Sequence, residues 1–382
     1  MAEHALLSPS AAHRWLHCTA APRLEANEDD KGSIFAQEGT LAHAYCARAL
    51  KQYLGQDVSG EAAEIAELSH LHEPAMDEHV AMYTATVIGK YEAARKKTPD
   101  AKLLVETRLD FSEWVPEAFG TADAVIIADG VMEVVDFKYG KGVRVEAVKN
   151  PQMMIYALGA LRLFDMEYGI RDVRMTIIQP RIDNISEWEV ASGALLLWAD
   201  TELRAKAREA FGPDGKQQPG DWCRFCKVRA KCKALATMAQ QTYLSHEDPR
   251  MLRDDEMAKN VLPYLSAIKS WVADVEEYAL QRALDGHTLP GWKVVEGRSN
   301  RRITDANAVA SVLSASGYAE DAYMRPRELR TITDLEKVVG KKKFGELCSD
   351  WIEKPQGKPA LVPESDKRPP LNSAKSDFEG LT

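Results

Sequence analysis

Two short apolar segments, each carrying an aspartate, constrain the fold of this chain more than any other feature. Gly120-Thr121-Ala122-Asp123-Ala124-Val125-Ile126-Ile127 alternates and then runs apolar, and Val131-Met132-Glu133-Val134-Val135-Asp136-Phe137-Lys138 repeats that design a turn later. The pattern predicts two buried, adjacent strands, which bring Asp123 and Asp136 toward one spot. Val105-Glu106 ends an earlier strand over residues 103–107. After Asn150-Pro151 the spacing predicts a helix over 152–163 with Met153, Tyr156, Ala157 and Ala160 on one side. Gln152 and Tyr156 then lie one turn apart and face the same groove.

Read in order, the chain carries Gly39-Thr40-x-x-His43, Gly120-Thr121-x-Asp123, Asp136-x-Lys138 and Gln152-x-x-x-Tyr156. Hydrolysis of a phosphodiester with a hard cation needs oxygen or imidazole ligands and a positive group near the attacking water, and this set supplies both. Each motif alone is commonplace; a lone Asp-x-Lys is most often an exposed strand pair. Their order and flanks give the set its meaning.

That ordered set resembles the RecB-like branch of the PD-(D/E)xK nuclease superfamily, over residues 5–235. The resemblance implies an α/β fold with a PD-(D/E)xK nuclease core, in which a central mixed sheet is flanked by helices. It also implies that His43, Asp123, Asp136 and the backbone carbonyl of Phe137 bind Mg²⁺ or Mn²⁺, and that Lys138 orients the attacking hydroxide. Gln152 and Tyr156 close the site, binding the DNA backbone or holding the lysine and DNA in register. Glu106, at a strand end, is either a further ligand or water-holder, or an exposed glutamate.

Six cysteines are present in a chain whose N-terminus lacks the basic and apolar regions of a signal peptide. Cys223-x-x-Cys226 followed by Cys232 has metal-ligand spacing and favours a metal or redox site over a disulfide. Cys18 lies far upstream, closing the helix start Leu7-Ser8-Pro9-Ser10. One N-terminal cysteine with a distant C-terminal triplet resembles the iron–sulfur staple of AddB-type helicase-nucleases and CRISPR-associated exonucleases. That likeness implies a [4Fe–4S] cluster on Cys18, Cys223, Cys226 and Cys232; four thiolates equally suit a structural Zn²⁺. Cys46 and Cys348 read as small core residues.

The 382 residues, 45% hydrophobic and 28% charged, suffice for one substantial core and a smaller one. No apolar run reaches the length of a membrane span, so the expectation is a cytoplasmic protein of a bacterial host cell with no membrane partner. A net charge of −9 argues at first against a polyanion-binding protein. Acidic residues, however, crowd the early helical region from Glu25 to Glu78, while Lys141, Arg144 and Lys149 surround the catalytic strand and the next helix. Arg298, Arg301 and Arg302 form a second cluster. Both clusters are candidate phosphate contacts, with a solvated hairpin tip as the plain reading of the second.

Three segments follow: 1–235, the nuclease domain closed by the cysteines, with a helical N-terminal region; 236–352, a mainly helical C-terminal appendage with a hairpin through 292–296 and 301–303 and helices near 305–315 and 334–351; and 353–382, an extended or disordered tail rich in Pro, Ser and charge. The tail and the arginine-rich hairpin resemble bacteriophage and prophage members of the nuclease group. The implied function is a metal-dependent deoxyribonuclease, of exonuclease type, in phage DNA replication or recombination. Its implied partners are single-stranded DNA or duplex ends and replication or recombination proteins such as a single-strand-binding protein. The competing reading is a non-catalytic nucleic-acid-binding scaffold or a partner in such a complex.

Overall fold

The computed structural model describes residues 5–28, 34–244, 255, 257–297, 301–325, 328–353, 355, 359–363 and 369–370. The chain divides into two compact units, Met1–Trp271 and Val272–Thr382. The division falls inside a helix, Leu262–Leu284.

In the first unit, β1 (Lys102–Asp110), β2 (Phe119–Ala128), β3 (Val131–Phe137), β4 (Asp172–Gln179) and β5 (Asn184–Ala191) form one sheet in sequence order. Neighbours run antiparallel except β3 and β4, which are parallel. A parallel pair needs a crossover, and α6 (Pro151–Tyr168) supplies it. The Asn150 side chain caps α6 by accepting from the N–H groups of Gln152 and Met153. Pro151 occupies its first turn, and Gly169 ends it at φ 53°.

Both sheet faces are covered, which is why the strands read as nearly continuous apolar runs. On one face α6 and the helix from α7 (Ser192–Trp198) into α8 (Arg204–Phe211) pack on Val125, Ile127, Met132, Val134 and Ile177. On the other, α3 (Ile34–Tyr53), α4 (Ser59–Leu68) and α5 (Pro74–Arg95) pack on Leu103, Val105, Ile126, Val135 and Phe137. The result is a mixed α/β unit with a helical N-terminal region. A half-buried ion pair ties α5 to the sheet: Lys90 Nζ donates to Glu133 Oε1 at 2.6 Å, and Thr176 Oγ1 donates to the same oxygen at 2.7 Å.

The sheet changes face at one level. Leu103 and Val105 point to the α3 side but Leu109 to the α6 side, and Ala122 likewise parts from Ala124 and Ile126. Strict alternation forbids this. The break coincides with Glu106, at φ 47°, opposite Asp123 between the pairs Val105↔Ala124 and Thr107↔Ala122. A left-handed residue inside a strand is the local kink that swaps the faces.

The second unit has its own small core of Val309, Leu313, Tyr323, Leu335, Val339, Phe344 and Cys348. Two sequence expectations are corrected there. The hairpin does not form: Trp292–Glu296 pairs with Pro359–Pro363, and Arg302–Ile303 with Ile352–Glu353. The helix expected over 334–351 is two helices, Ile332–Val339 and Lys341–Cys348, broken at Gly340 with φ 88°. Most of the expected tail lies outside the described residues. Among the described residues, no helix is long and apolar enough to cross a membrane.

Candidate functional site

α3 sets His43 over the kink in the sheet. Its Nδ1 lies 3.2 Å from Asp123 Oδ1, while Asp123 Oδ2 accepts the Phe137 N–H at 2.7 Å. One ligand atom each of His43, Glu106 and Asp123 falls within 4.8 Å of the others, and among the described residues no other three His, Cys, Asp or Glu side chains come together this closely. The strained backbone of Glu106 is what turns its carboxyl to this group.

Charges crowded out of water shift one another. Burial would push the His43 imidazole down, but Asp123, with help from Glu106 and Asp136, outweighs it and raises the group to about 9. Burial and the Asp123 charge raise Glu106 to about 8, against the pull of His43 and Lys51. For Asp123 the burial penalty is overcome by His43 and by the Phe137 N–H, so its carboxyl lies below the usual range. The three thus compensate one another: the His43 charge is set against the Asp123 carboxylate, and Glu106 is held high beside them.

Asp136 follows the pleat to the α6 side, away from Phe137. It therefore falls outside the closely spaced set of three. Lys138 Nζ donates to Asp136 Oδ1 at 3.3 Å and to Gln152 Oε1 at 2.9 Å, and Gln152 Nε2 donates to Asp136 Oδ1 at 3.2 Å. Asp136 Oδ2 is buried and accepts no hydrogen bond, although Lys138 Nζ sits 3.0 Å away at an unfavourable angle. Burial raises the Asp136 carboxyl. Lys138 stays charged because Asp136 and Asp123 overcome the burial that would lower it. The Tyr156 hydroxyl, shifted upward mainly by burial, stays protonated. A Cβ at Gly120 would come within 3.0 Å of both Tyr156 Cε1 and Pro9 Cγ, so this glycine lets the tyrosine ring seat against the strand.

The loop between β3 and α6 is pinned by side chains that sequence reading did not single out. The Gln179 amide accepts from Val145 N at 2.7 Å and donates to Val143 O at 3.0 Å. Asn184 Nδ2 donates to Val145 O at 2.9 Å, and Ser186 Oγ accepts from Ala147 N at 2.9 Å. Gln179 and Asn184 are each 1% exposed. An amide closing the apolar run Met175-Thr176-Ile177-Ile178 was the available signal. Arg181, also missed, donates to Glu38 Oε2 at 3.0 Å and covers the Tyr139 ring at 4.7 Å.

Of the expected phosphate contacts, Lys141 and Lys149 are exposed on the pinned loop, and Arg144 donates to Glu146 at 2.6 Å. In the second unit Arg301 pairs with Glu336 and Arg302 with Glu353. Arg298 lies outside the described residues. Part of the N-terminal acidic run is also engaged: Glu61 pairs with Lys51, Glu28 with Lys231 and Glu25 with Arg14.

Cys18, Cys223, Cys226 and Cys232 line one pocket. No three of their sulfurs meet the 4.8 Å spacing of the His43 group. Polar ties hold the two ends of the unit together around them. Glu25 accepts from Arg14 Nε at 2.9 Å and from Lys227 N at 2.7 Å, Thr19 Oγ1 donates to Glu209 at 3.0 Å, and the His17 and Trp222 rings stack at 4.2 Å. Burial raises the Cys226 thiol to about 12. Cys46 and Cys348 are buried in the apolar cores.

The chain belongs to a family described as "Protein of unknown function (DUF2800)", whose model matches residues 4–369. Among solved structures it is similar to one titled "Crystal structure of SSO0001", with 15% identity and a TM-score of 0.25 over 59% of this chain and 85% of that one.

Proposed function

We propose that this protein is a divalent-metal-dependent nuclease built on a PD-(D/E)xK core, with His43, Glu106 and Asp123 holding Mg²⁺ or Mn²⁺. The observation that carries the reading is the convergence of those three ligand atoms within 4.8 Å, beside a lysine held by Asp136 and Gln152. Two carboxylates suit a hard cation, and an imidazole is better tolerated by manganese. A cation held by these residues would lower the pKa of a water and offset charge on the phosphate.

The chain's own residues do the rest. Lys138, its ammonium fixed by two acceptors, points a donor at the attacking oxygen and at the charge building on the phosphate. Gln152 keeps Lys138 and Asp136 in register, which limits the reorganisation needed at the moment of attack. Tyr156, protonated, donates to a phosphate oxygen. Lys141 and Lys149, on the pinned loop, meet flanking phosphates.

The four cysteines are assigned a [4Fe–4S] cluster that staples Cys18 to the Cys223–Cys232 knuckle. An all-thiolate donor set fits this group, and the split of one cysteine from three across the whole unit favours it over zinc. A place in phage DNA replication or recombination, alongside proteins such as a single-strand-binding protein, fits the same reading. End-labelled single-stranded and duplex DNA, incubated with purified protein and Mg²⁺, Mn²⁺ or chelator, tests it. Cleavage should need the metal and vanish in Asp123→Asn. DNA binding without cleavage under every metal condition would leave a scaffold in its place.

A further inference from the structure

α3 is fastened to the sheet in two different ways along its length. From Leu41 onward its inner face is apolar and buried, with Leu41, Ala44, Ala47 and Leu50 in the core. Its first turns, up to Thr40, carry no buried residue, and an ion pair grips them instead. Glu38 Oε2 accepts from Arg181 Nη1 at 3.0 Å, with only 19% and 15% of the two side chains exposed. His43 lies five residues beyond Glu38, where the apolar packing has just begun. Arg181 stands on the short turn Pro180–Ile182 that joins β4 to β5. Its guanidinium also covers the buried ring of Tyr139 at 4.7 Å. The Tyr139 ring lies 5.9 Å from that of Phe137, and Phe137 meets the His43 ring edge-on at 5.3 Å, while the Phe137 N–H is the donor to Asp123. Arg181 therefore touches both supports of the His43–Asp123 pair: the helix that carries the imidazole and the aromatic row beneath it.

We infer that Arg181 is a positioning residue of the candidate cation site. By clamping Glu38 against Tyr139 it fixes the first turns of α3, and with them the place of the His43 imidazole over Asp123 and Glu106. The inference rests on those three residues being the cation's ligands.

Three features select this role over direct contact with a phosphate. The Arg181 charge is already matched by Glu38 inside the fold. A planar guanidinium can pair in its plane and stack on its face at once, so it restrains two elements in two directions where an ammonium restrains one. The same stretch of chain also fastens a second wall, because Gln179, two residues earlier, holds the loop after Lys138 through Val143 and Val145. The end of β4 thus sets both the helix that carries His43 and the loop that follows Lys138.

The test measures Mn²⁺ affinity of the full chain by electron paramagnetic resonance of the free ion, with no nucleic acid present. Losing an outer support of a metal site costs about 10- to 100-fold in affinity, and Arg181→Met and Glu38→Gln should each weaken Mn²⁺ binding about 10-fold. The sign discriminates. Were the two side chains acting only through their charges, removing the cation Arg181 would tighten Mn²⁺ binding and removing the anion Glu38 would weaken it. A clamp gives both losses the same sign and makes the double variant no worse than either single one. Arg181→Lys, which keeps the charge but stacks less well on Tyr139, should lose about 2- to 5-fold. Tighter or unchanged binding in Arg181→Met overturns the inference, as does a double variant whose losses add. Should Arg181→Met fail to fold, Arg181→Lys decides: its partial loss supports the clamp and unchanged affinity overturns it. A wild type that binds no Mn²⁺, or whose affinity His43→Ala leaves unmoved, sinks the cation-site reading and the positioning with it. Mn²⁺ binding that His43→Ala weakens while Arg181→Met and Glu38→Gln do not sinks the positioning alone.

Discussion

Two glycines in two helices should respond to the same substitution with opposite signs. Gly159 lies in α6 where that helix presses on β1; a Cβ there would stand 2.9 Å from Leu109 Cβ, 3.4 Å from Phe111 Cδ1 and 3.5 Å from Asp110 O. Leu109 Cβ is fixed by its strand and cannot swing aside. Carbon contacts settle near 3.5–4.0 Å, so α6 must retreat by roughly 0.6 Å or more. Overpacking of that kind costs about 1–3 kcal/mol, against a gain of about 1 kcal/mol from better helix propensity. Gly159→Ala should therefore lose a net ~0–2 kcal/mol in urea titration, with an unchanged m-value. Gly89 is interior to α5 and meets nothing within 4 Å, so Gly89→Ala should gain about 1 kcal/mol. Because α6 also carries Gln152 and Tyr156, its retreat should lower Mn²⁺-dependent turnover about tenfold in Gly159→Ala only, given that a ~1 Å misplacement can cost about 10²-fold. A Gly159→Ala protein stabilised as much as Gly89→Ala would refute the packing argument.

Lys138→Ala should lower turnover by about 10²-fold with DNA affinity nearly unchanged; matching losses in affinity alone would make Lys138 a phosphate anchor. Gln179→Leu should speed hydrogen exchange at the Val145 amide and reduce turnover while Mn²⁺ affinity holds, since it frees the loop and leaves His43, Glu106 and Asp123 in place; slow exchange at Val145 would show the loop does not need this amide. Anaerobically purified protein should be brown, with iron and acid-labile sulfide near four each per chain, whereas zinc is colourless. Cys18→Ser should bleach it and lower its melting temperature as far as Cys226→Ser does, and full metal content in Cys18→Ser would remove Cys18 from the site. Lys90→Met should destabilise the protein by about 2–4 kcal/mol because Glu133 is left charged at 7% exposure with only Thr176 as donor; a loss under ~1 kcal/mol in urea titration would show that water reaches the glutamate.

The strands of the first unit were legible because burial on both faces writes itself as apolar runs, and two of the four motifs, Gly120–Asp123 and Asp136–Lys138, fell at the ends of those runs. Contacts made far along the chain were not. Residues 292–296 and 301–303 look like two arms of a hairpin, yet each pairs with a segment some fifty or more residues later. Local pattern says that a segment is extended and is silent about its partner. Charge was opaque for the same reason: Arg301, Arg302 and Glu28 read as members of like-charged clusters, while the fold gives each an opposite charge from elsewhere.

The division of labour among the acidic residues was the least legible feature, and it turns on one dihedral. Reading β2 and β3 as regular strands sends Asp123 and Asp136 to the same place, with Glu106 optional. The left-handed Glu106 breaks alternation in β1, and β2 shifts faces beside it, so Glu106 and Asp123 gather under His43 while Asp136, on the regular pleat of β3, turns to Lys138 and Gln152. No glycine marks the kink, because the residue that takes the strain is also one whose side chain the site uses. An unfavourable φ at a glutamate persists only where its surroundings over-determine it, and here those surroundings are eight register pairs between β1 and β2 and a helix packed across them. The rigid sheet thus gathers one acidic pair under His43 and leaves the third carboxylate to hold the lysine.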